Sequence, residues 1–307
     1  MPNQNTEINT SSIITIGTFD GVHIGHQKII EHLVKTGQDK NLKSVVLTFF
    51  PHPRMVLQPD FKMQLLHTIN ERQEILKIFG IDNLIVKEFT KDFANLSAHD
   101  YVKTILVDEL KVKHIIIGYD HHFGKNRTAN IDDLRTYGKA YGFTVEEISA
   151  QDIKNVAVSS TKIRHALMEG DIKTANAYLG YPYFITGQVI KGKGIGKTLN
   201  FPTANLAIEK DYKLIPKQGV YVVRSTLHNQ PVYGMMNIGL NPTFNDKKQS
   251  IEVHFFNTEE NLYNRTLKVE LLHRLRNEQK FESKDQLILQ LNKDKKHSED
   301  FIKGLNE

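Results

Sequence analysis

The sequence contains no cysteine among its 307 residues, so it can form no disulfide framework and offers no thiolate to a metal. It also has no apolar run near the roughly 20 residues that a membrane-spanning helix needs. The polar start, Met1-Pro2-Asn3-Gln4-Asn5, lacks the pattern of a signal peptide. These absences predict a cytoplasmic protein without a membrane segment.

The chain also lacks a concentrated charge of either sign. Its net charge is +5, and its basic residues are scattered, whereas nucleic-acid binding favours a basic stripe with interleaved aromatics. We therefore expect no nucleic-acid partner and favour small phosphate-bearing molecules. The 39% of hydrophobic and 24% of charged residues are ordinary for a globular protein, and the length suits two domains. No feature of the sequence indicates an oligomeric state.

The first half of the chain alternates short apolar runs with helical patterns. The expected strands lie near residues 13–16, 44–50, 84–86, 114–118 and 143–148, and the expected helices near 27–34, 71–79, 98–110 and 131–141. This alternation predicts an α/β fold with a doubly wound parallel sheet. In such folds the ligands bind at the carboxyl ends of the strands.

The segment from Ile13 to His26 reads as a strand, a glycine turn and the start of a helix. Gly17 and Gly25 allow a phosphate to approach the backbone closely, and a helix N-terminus attracts anions. His23 and His26 are three residues apart, so they share one face of that first turn. Alone, the two histidines could equally be solvated surface residues or metal ligands, although two histidines make a poor zinc site. The surrounding strand, glycines and helix favour a nucleotide phosphate site.

Two further segments follow strands at the same predicted sheet edge. Pro51-His52-Pro53-Arg54 follows the second strand, where the two prolines predict a rigid, non-helical exit. The segment from Gly118 to Gly124 follows a later strand. Each segment alone reads as an ordinary loop, but three such segments at one sheet edge predict a shared site.

A helix start at Ser159 or Ser160 offers a second phosphate-binding pattern. Either serine can cap the helix. The first turn also presents hydroxyls, free N–H groups and the cations Lys162 and Arg164, which suit a triphosphate. The capping and the phosphate-binding interpretations are compatible.

Beyond the linker Tyr181-Pro182-Tyr183 the pattern changes to short, closely spaced apolar runs separated by turns. This pattern predicts a small antiparallel β-barrel or sandwich. Ser283 and Gln286 form a capping box that predicts a C-terminal helix. We therefore expect two domains, residues 1–182 and 183–307.

The glycine-rich segment from Gly192 to Thr198 is not a Walker A motif. Position 191 is lysine where that motif needs glycine, and Pro202 prevents the helix that should follow. A glycine loop over phosphates is still compatible with the segment. In Phe201-Pro202-Thr203-Ala204-Asn205 a proline-fixed turn presents a hydroxyl and an amide oxygen, which are hard ligands for Mg²⁺, although such a segment alone is more often a plain turn.

Several motifs in both halves carry a family resemblance. The first half resembles the FAD synthetase branch of the nucleotidylyltransferases, and the second half resembles riboflavin kinases. The matching motifs of the first half are Gly17-Thr18-Phe19-Asp20-Gly21-Val22-His23-Ile24-Gly25-His26, Thr48-Phe49-Phe50-Pro51-His52-Pro53, Gly118-x-Asp120-x-x-Phe123-Gly124 and Ser159-Ser160-Thr161-x-Ile163-Arg164. Those of the second half are Gly192-x-x-x-Gly196-Lys197, Phe201 to Asn205, Gly219-Val220-Tyr221, Glu252-x-His254 and Leu275-Arg276-x-Glu278-x-Lys280-Phe281. Lys197, Asn200 and Asn264 stand where these families usually have arginine, glycine and glycine, and the loop after Gly124 lacks a usual glycine.

Together the motifs resemble the bacterial bifunctional riboflavin kinase/FAD synthetase family. The resemblance implies ATP-dependent phosphorylation of riboflavin to FMN in the second half and adenylylation of FMN to FAD in the first. It assigns charge stabilisation to His23 and His26, general-base catalysis to Glu252, and Mg²⁺ binding to Thr203 and Asn205. The implied nucleotide- and flavin-binding residues are Gly17, Phe19, Asp20, Gly25, Pro51, His52, Asp120, Phe123, Ser160, Thr161, Arg164, Gly192, Gly196, Lys197, Thr203 and Asn205. Two alternatives are an FMN adenylyltransferase with a degenerate, flavin-binding kinase domain and a flavin-binding regulatory or storage protein.

Overall fold

The computed structural model describes residues 10–58, 60–118, 121–148, 158–192, 194, 196–242, 247–258 and 260–305. The chain divides into two compact units, Met1–Ser159 and Ser160–Glu307. No helix among the described residues has both the length and the apolar character needed to cross a bilayer.

The first unit is the predicted parallel sheet with helices. Its strands are β1 (Ser12–Ile16), β2 (Lys43–Phe50), β3 (Asn83–Glu88), β4 (Val112–Gly118) and β5 (Thr144–Ile148). Its helices are α1 (Ile24–Lys40), α2 (Pro53–Leu57), α3 (Ile69–Ile78), α4 (Lys91–Ala94), α5 (Ala98–Asp100) and α6 (Ile131–Tyr141), with a π-helix at Tyr101–Glu109 and a 3-10 turn at Lys125–Arg127. The strand order is β3-β2-β1-β4-β5 and each pairing is parallel.

The central strand β1 explains where this sheet can hold a ligand. All five residues of β1 are buried, because helices cover both faces of a doubly wound sheet. The strand order reverses between β1 and β4, and such a reversal opens a crevice at the carboxyl ends of the two strands. The segment from Gly17 to His26 begins at that crevice.

Two local elements of the first unit differ from the sequence expectation. The exit after Pro51 is helical, because Pro53 occupies the first helical position of α2 and the His52 ring accepts a hydrogen bond from Arg54 N at 3.1 Å. Proline is tolerated at that position, where no N–H is needed. The helix expected over residues 98–110 is a short α-turn followed by the π-helix, whose wider hydrogen-bond pattern apolar spacing does not reveal.

The second unit contains the predicted antiparallel barrel. Its strands are β6 (Phe184–Ile190), β7 (Ala204–Ala207), β8 (Gly219–Leu227), β9 (Gln230–Pro242), β10 (Lys247–Phe255) and β11 (Thr266–Arg276). They close in the order β10-β7-β6-β11-β8-β9. Its helices are α7 (Ser160–Glu169), α8 (Ile172–Leu179) and α9 (Lys284–Lys303), with a 3-10 turn at Gly196–Leu199.

The caps and turns of the barrel follow local chemistry. The turn between β8 and β9 consists of His228 and Asn229, both with positive φ, as a tight two-residue hairpin requires. Ser283 caps α9 by accepting a hydrogen bond from Gln286 N. The Gln286 side chain accepts from Glu282 N, one residue earlier than in the expected capping box.

Helices α7 and α8 belong to the second compact unit. Asn176 of α8 donates to the Leu271 carbonyl at 2.9 Å and accepts from Tyr183 N at 2.7 Å. Lys217 N donates to the Leu167 carbonyl of α7 at 3.0 Å. The expected domain boundary after residue 182 remains a prediction.

A carboxylate links α1 to the edge of the first sheet. Glu146 of β5 accepts hydrogen bonds from His32 of α1 at 2.6 Å and from His114 of β4 at 2.9 Å. Burial alone would raise the pKa of Glu146, but the hydrogen bonds from His114 and His32 hold this pKa below its usual value. A carboxyl group with a lowered pKa in the folded state stabilises the fold above its unfolded pKa, and it loses that contribution as the pH falls through the folded value.

We predict that Glu146→Gln lowers the free energy of unfolding at pH 7 by at most about 1 kcal/mol, because the carboxylate is partly exposed. The difference from the parent should shrink as the pH falls through the lowered pKa of Glu146 in the folded state, because the carboxyl group is then protonated in both states. Urea denaturation at pH 7 and pH 3.5 measures both values, with the exposed α1 variant Glu31→Gln as control. An equal difference at the two pH values would contradict the role of the charge.

Candidate active sites

The turn after β1 is held by a buried charge pair. The Asp20 carboxylate is fully buried and accepts hydrogen bonds from Leu66 N at 3.0 Å and His67 N at 3.2 Å. The Arg72 guanidinium lies 3.6 Å from Asp20 and donates to the Thr18 carbonyl at 2.6 Å. Asp20 therefore fixes the shape of the turn, and its predicted contact with a ligand remains a prediction.

His23 and His26 lie together at the N-terminus of α1. Their rings stack with centroids 3.6 Å apart and an angle of 14° between the planes. His23 is the N-cap residue, and its Nδ1 accepts the His26 backbone N–H at 3.3 Å. Because Nδ1 is the acceptor, the neutral His23 ring carries its proton on Nε2. The expectation that both histidines share one face of the first turn is confirmed.

Both rings are kept neutral by their surroundings. Burial lowers the pKa of His23 to about 4, against opposing contributions from its backbone hydrogen bond and Asp20. Burial also lowers the pKa of His26 well below its usual value, and the nearby His23 and Arg72 lower it further. His26 Nδ1 is buried and has no hydrogen-bond partner among the described residues. A polar atom in this state can bond to a ligand oxygen without losing a protein partner.

Phe19 and Gly17 complete the turn. Phe19 is buried with φ of 45°, and its ring meets that of His26 edge-on at 5.1 Å. A Cβ atom at Gly17 would lie 3.0 Å from the Phe19 ring, which is closer than packed carbon atoms normally allow. Gly25 is buried in the first turn of α1. The predicted residues Gly17, Phe19, His23, Gly25 and His26 thus lie on one continuous segment that leads from the end of β1 into the first turn of α1.

The other predicted residues of the first half lie on several elements. Pro51 and His52 lie between β2 and α2. Phe123 is buried against Tyr101, with ring centroids 5.8 Å apart, and Asp120 lies outside the described residues. Ser160, Thr161 and Arg164 lie in the first half of α7.

The loop after Gly124 explains how the chain does without the usual glycine. Asn126 and Arg127 adopt left-handed conformations there, with φ of 56° and 57°. Glycine enters that region most readily and asparagine is the next most tolerant type.

In the barrel, β7 brings three predicted residues together. Asn205 of β7 is the register partner of Glu252 on β10. Thr203 Oγ1, one residue before β7, donates to Glu252 Oε2 at 3.1 Å. The sequence predicts a turn at these positions, and the structure adds a short strand that aligns the hydroxyl, amide and carboxylate groups.

Two glycines make room for this cluster. A Cβ atom at Gly192 would overlap the Asn205 side-chain amide, and one at Gly196 would overlap the Phe201 carbonyl oxygen. Phe201 N donates to the Gly196 carbonyl at 2.9 Å, so the glycine loop folds directly back onto the turn. Lys197 lies in the 3-10 turn and is exposed.

The two asparagines that replace usual glycines are both left-handed. Asn200 has φ of 59° and Asn264 has φ of 65°. Asparagine tolerates this region better than other non-glycine residues. The backbone therefore keeps at both positions the conformation that glycine would favour.

A cavity of about 390 Å³ lies at the C-terminal end of β10. His254, two residues further along β10, lines this cavity together with Phe201 and Lys295. His254 Nδ1 donates to the Pro202 carbonyl at 2.8 Å. Burial lowers the pKa of His254, which leaves Nε2 of the neutral ring as a hydrogen-bond acceptor.

A larger cavity of about 900 Å³ lies toward the other end of β10. Residues 216–218 and 277–280 line it, together with the paired residues Leu240 and Gln249. A Cβ atom at Gly239 would overlap Glu278 Oε1, so the carboxylate lies directly over the β9 backbone. Gln249 and His254 of β10 thus line different cavities, and Glu252 lies between them in the sequence of that strand.

Sequence reasoning missed Arg72. It lies on α3 among the buried residues Ile75 and Leu76, and Nη1 also donates to Thr48 Oγ1 at 3.3 Å. An arginine at an apolar position of a helical stripe was the available signal. Among the described residues, no group of three or more His, Asp or Glu side chains could hold a metal ion.

The comparisons with known proteins place the chain in a family. The FAD synthetase family model matches residues 5–162, and the riboflavin kinase model matches residues 179–302. Curated relatives named bifunctional riboflavin kinase/FMN adenylyltransferase match nearly the whole chain. The relative from Buchnera aphidicola (Schizaphis graminum) is 40% identical over 94% of this chain and 93% of its own. The relative from Listeria monocytogenes is 37% identical over 98% of this chain and 95% of its own. The relative from Escherichia coli K12 is 34% identical over 94% of this chain and 92% of its own.

A solved structure shares the fold. The crystal structure of a Streptococcus pneumoniae protein described as a macrolide-efflux protein superposes with a TM-score of 0.86, at 31% identity, over 97% of both chains. Neither the family models nor these curated relatives carry a transport activity in their names, so that description stays with that protein.

Fold, sites and family models define a two-unit, ATP-dependent transferase of flavin metabolism. The chain belongs to the bifunctional riboflavin kinase/FMN adenylyltransferase family. Its barrel unit phosphorylates riboflavin to FMN with ATP, and its α/β unit adenylylates FMN to FAD. Both activities of the sequence-based hypothesis are confirmed, and the alternative of a single-activity adenylyltransferase does not hold.

We predict that Gly192→Ala lowers kinase turnover about 100-fold, because the added methyl group displaces the Asn205 side chain. A displacement of about 1 Å in a reactive site can lower the rate by this factor. The matched control is Gly194→Ala, which lies in the same loop with φ of +74° and has no atom within 4 Å of an added Cβ. It should retain kinase activity within a fewfold. Riboflavin phosphorylation by both variants, followed by chromatography of FMN, measures the effect, and equal losses would contradict the packing argument.

Proposed function

We propose that the stacked His23–His26 pair stabilises the adenylyl group as it moves from ATP to FMN. A phosphate oxygen of FMN attacks the α-phosphorus of ATP, and the bond from that phosphorus to the bridging oxygen breaks as pyrophosphate leaves with the electron pair. Both rings are neutral near pH 7, so each contributes a hydrogen-bond donor in a preorganised site. The observation that carries this role is the buried, unpartnered Nδ1 of His26 beside the α1 N-terminus.

The outgoing pyrophosphate also needs groups that bind it. We assign this role to Ser160, Thr161 and Arg164, which lie on α7 with hydroxyls and a cation near a helix N-terminus. Gly17 and Gly25 have no side chains that would block the nucleotide from the turn. The Phe19 ring packs edge-on against the His26 ring and holds it in place. For Pro51, His52, Asp120 and Phe123 we keep the proposal that they contact the nucleotide or the flavin.

In the barrel we propose Glu252 as the general base. It takes the proton from the ribityl 5′-hydroxyl of riboflavin while that oxygen attacks the γ-phosphorus of ATP, and ADP leaves with the electrons of the broken bond. The hydrogen bond from Thr203 Oγ1 at 3.1 Å orients the carboxylate. The smaller cavity adjoins the turn at Phe201 and suits the nucleotide, whereas the larger one suits the flavin rings. Glu252 lies between the lining residues Gln249 and His254 in the sequence of β10, and transfer takes place at its carboxylate.

We further propose that Thr203 and Asn205 hold Mg²⁺ together with the ATP phosphates. Their hydroxyl and amide oxygens are hard donors, and Mg²⁺ is usually held by one or two protein oxygens with substrate phosphates and water. The room that Gly192 leaves for the Asn205 amide fits this arrangement. Bound there, the ion would neutralise developing charge on the phosphates. Gly192, Gly196 and Lys197 then complete the ATP-binding loop.

We also infer that the enzyme works in the cytoplasm on these small molecules and without nucleic acid, as the composition predicts.

The paired variants His26→Ala and Glu252→Gln test the assignment of the two sites. We expect His26→Ala to lower FAD formation at least 100-fold while FMN accumulates, because one charge-stabilising donor is lost. Glu252→Gln should lower FMN formation by 10² to 10⁴-fold but still convert added FMN to FAD. Incubation with ATP and Mg²⁺, starting from riboflavin or from FMN, followed by chromatography, separates the two steps.

His165→Ala, on α7, is a histidine control, and Glu270→Gln, on β11 of the same barrel, is a carboxylate control. A loss of both activities in either test variant would argue against two separate sites.

We predict that removal of Mg²⁺ with a chelator abolishes kinase turnover, and that Thr203→Val raises the Mg²⁺ concentration needed for half-maximal rate by tenfold or more. The valine keeps the shape of threonine but removes its metal-binding oxygen. Rates measured over a Mg²⁺ series at fixed ATP test this, with Thr226→Val on β8 as control. An unchanged Mg²⁺ dependence in Thr203→Val would remove Thr203 from the metal site.

A further inference from the structure

Arg274 of β11 connects the two walls of the larger cavity. Its Nη2 donates to the Gln218 carbonyl at 2.7 Å and to Asn277 Oδ1 at 2.7 Å. Gln218 belongs to the wall formed by residues 216–218, and Asn277 belongs to the wall formed by residues 277–280. Nη2 of Arg274 thus joins Gln218, which lies 56 residues earlier in the chain, to Asn277, which lies 3 residues later. This nitrogen fixes the distance between the two walls.

The backbone of β11 is irregular around Arg274, and this irregularity directs the guanidinium group toward the two cavity walls. The pairing of β11 with β8 shifts register on both sides of Arg274, between Leu271 and His273 and between Arg274 and Arg276. Such irregularities redirect side chains and are common beside active sites. The guanidinium also lies 5.8 Å from the centre of the Tyr221 ring, which supports its plane.

Two glycines leave the space that the guanidinium occupies. A Cβ atom at Gly170 would lie 2.7 Å from Arg274 Cδ and Nε, and one at Gly219 would lie 3.0 Å from Nη2. Both glycines have positive φ, +78° and +152°. The Nε of Arg274 is nevertheless buried without a hydrogen-bond partner among the described residues. A buried donor without a partner destabilises a fold, so stability alone does not account for an arginine here.

We propose that Arg274 is a positioning residue for riboflavin binding: it holds residues 216–218 and 277–280 at the spacing that admits the flavin ring system. This inference rests on the proposed placement of the flavin in the larger cavity. Because Arg274 acts through these walls and lies apart from the Thr203–Glu252 cluster, its loss affects flavin affinity before it affects phosphoryl transfer. Lysine cannot replace it fully, since an ammonium group does not reproduce the planar guanidinium donors.

The test is steady-state kinase kinetics of Arg274→Met, which keeps the side-chain bulk between the two glycines. We expect the KM and the fluorescence-titrated Kd for riboflavin to rise at least tenfold, with kcat and the KM for ATP within threefold of the parent. Arg274→Lys should recover part of the loss. The matched control is Arg224→Met, which removes a hydrogen-bonded arginine of the same barrel that lies outside the cavity lining. FMN adenylylation by the same preparations reports the integrity of the first unit.

The inference would be overturned if Arg274→Met left the riboflavin KM and Kd unchanged. It would also be overturned if kcat fell and the KM values for riboflavin and ATP rose by equal factors, together with a lower melting temperature. If Arg274→Met fails to fold, Asn277→Ala tests the same contact from the wall, and a riboflavin KM like that of the parent overturns the inference. A rise in riboflavin KM for Asn277→Ala supports it. Failure of the proposed function would differ from all of these, because Glu252→Gln would then keep normal kinase turnover.

Discussion

The geometry of the turn that carries His23 and His26 depends on the charge pair between Asp20 and Arg72. Asp20 accepts two backbone N–H groups from the segment before α3, while Arg72 donates to the backbone of the turn itself. Both side chains are 1% exposed. Removing one member of such a pair leaves an unbalanced charge in the interior, which costs about 3–5 kcal/mol. The turn that carries the stacked histidines therefore depends on this buried pair.

The sequence indicated most of the first unit because its signals are local. An apolar run, a glycine turn and a helical stripe identify β1 and α1 without any long-range information. The role of Arg72 depends on Asp20, 52 positions earlier, and only folding brings the two together. The strand at Ala204–Ala207 was missed for a related reason: its pairing with β10 gives a turn-like sequence an extended conformation.

In the barrel, the packing around Asn205 and Phe201 requires glycine, which has no side chain, at two positions. Gly192 and Gly196 leave space for an amide and a carbonyl, and this packing requirement cannot be read from a glycine pattern alone. Asn200 and Asn264 show the complementary case, because a left-handed backbone accepts asparagine in place of glycine. Departures from a family pattern that look disruptive in a sequence therefore leave the backbone path intact.

The position of α7 has a consequence for genetic dissection of the two activities. The FAD synthetase match ends at residue 162, yet the compact first unit ends at Ser159. Helix α7 is attached to the rest of the second unit by the hydrogen bond from Lys217 N to the Leu167 carbonyl. A gene cut at the compact boundary would leave Ser160, Thr161 and Arg164 on the kinase fragment. An exchange of the kinase unit at that boundary would therefore also exchange the three residues that we propose bind pyrophosphate.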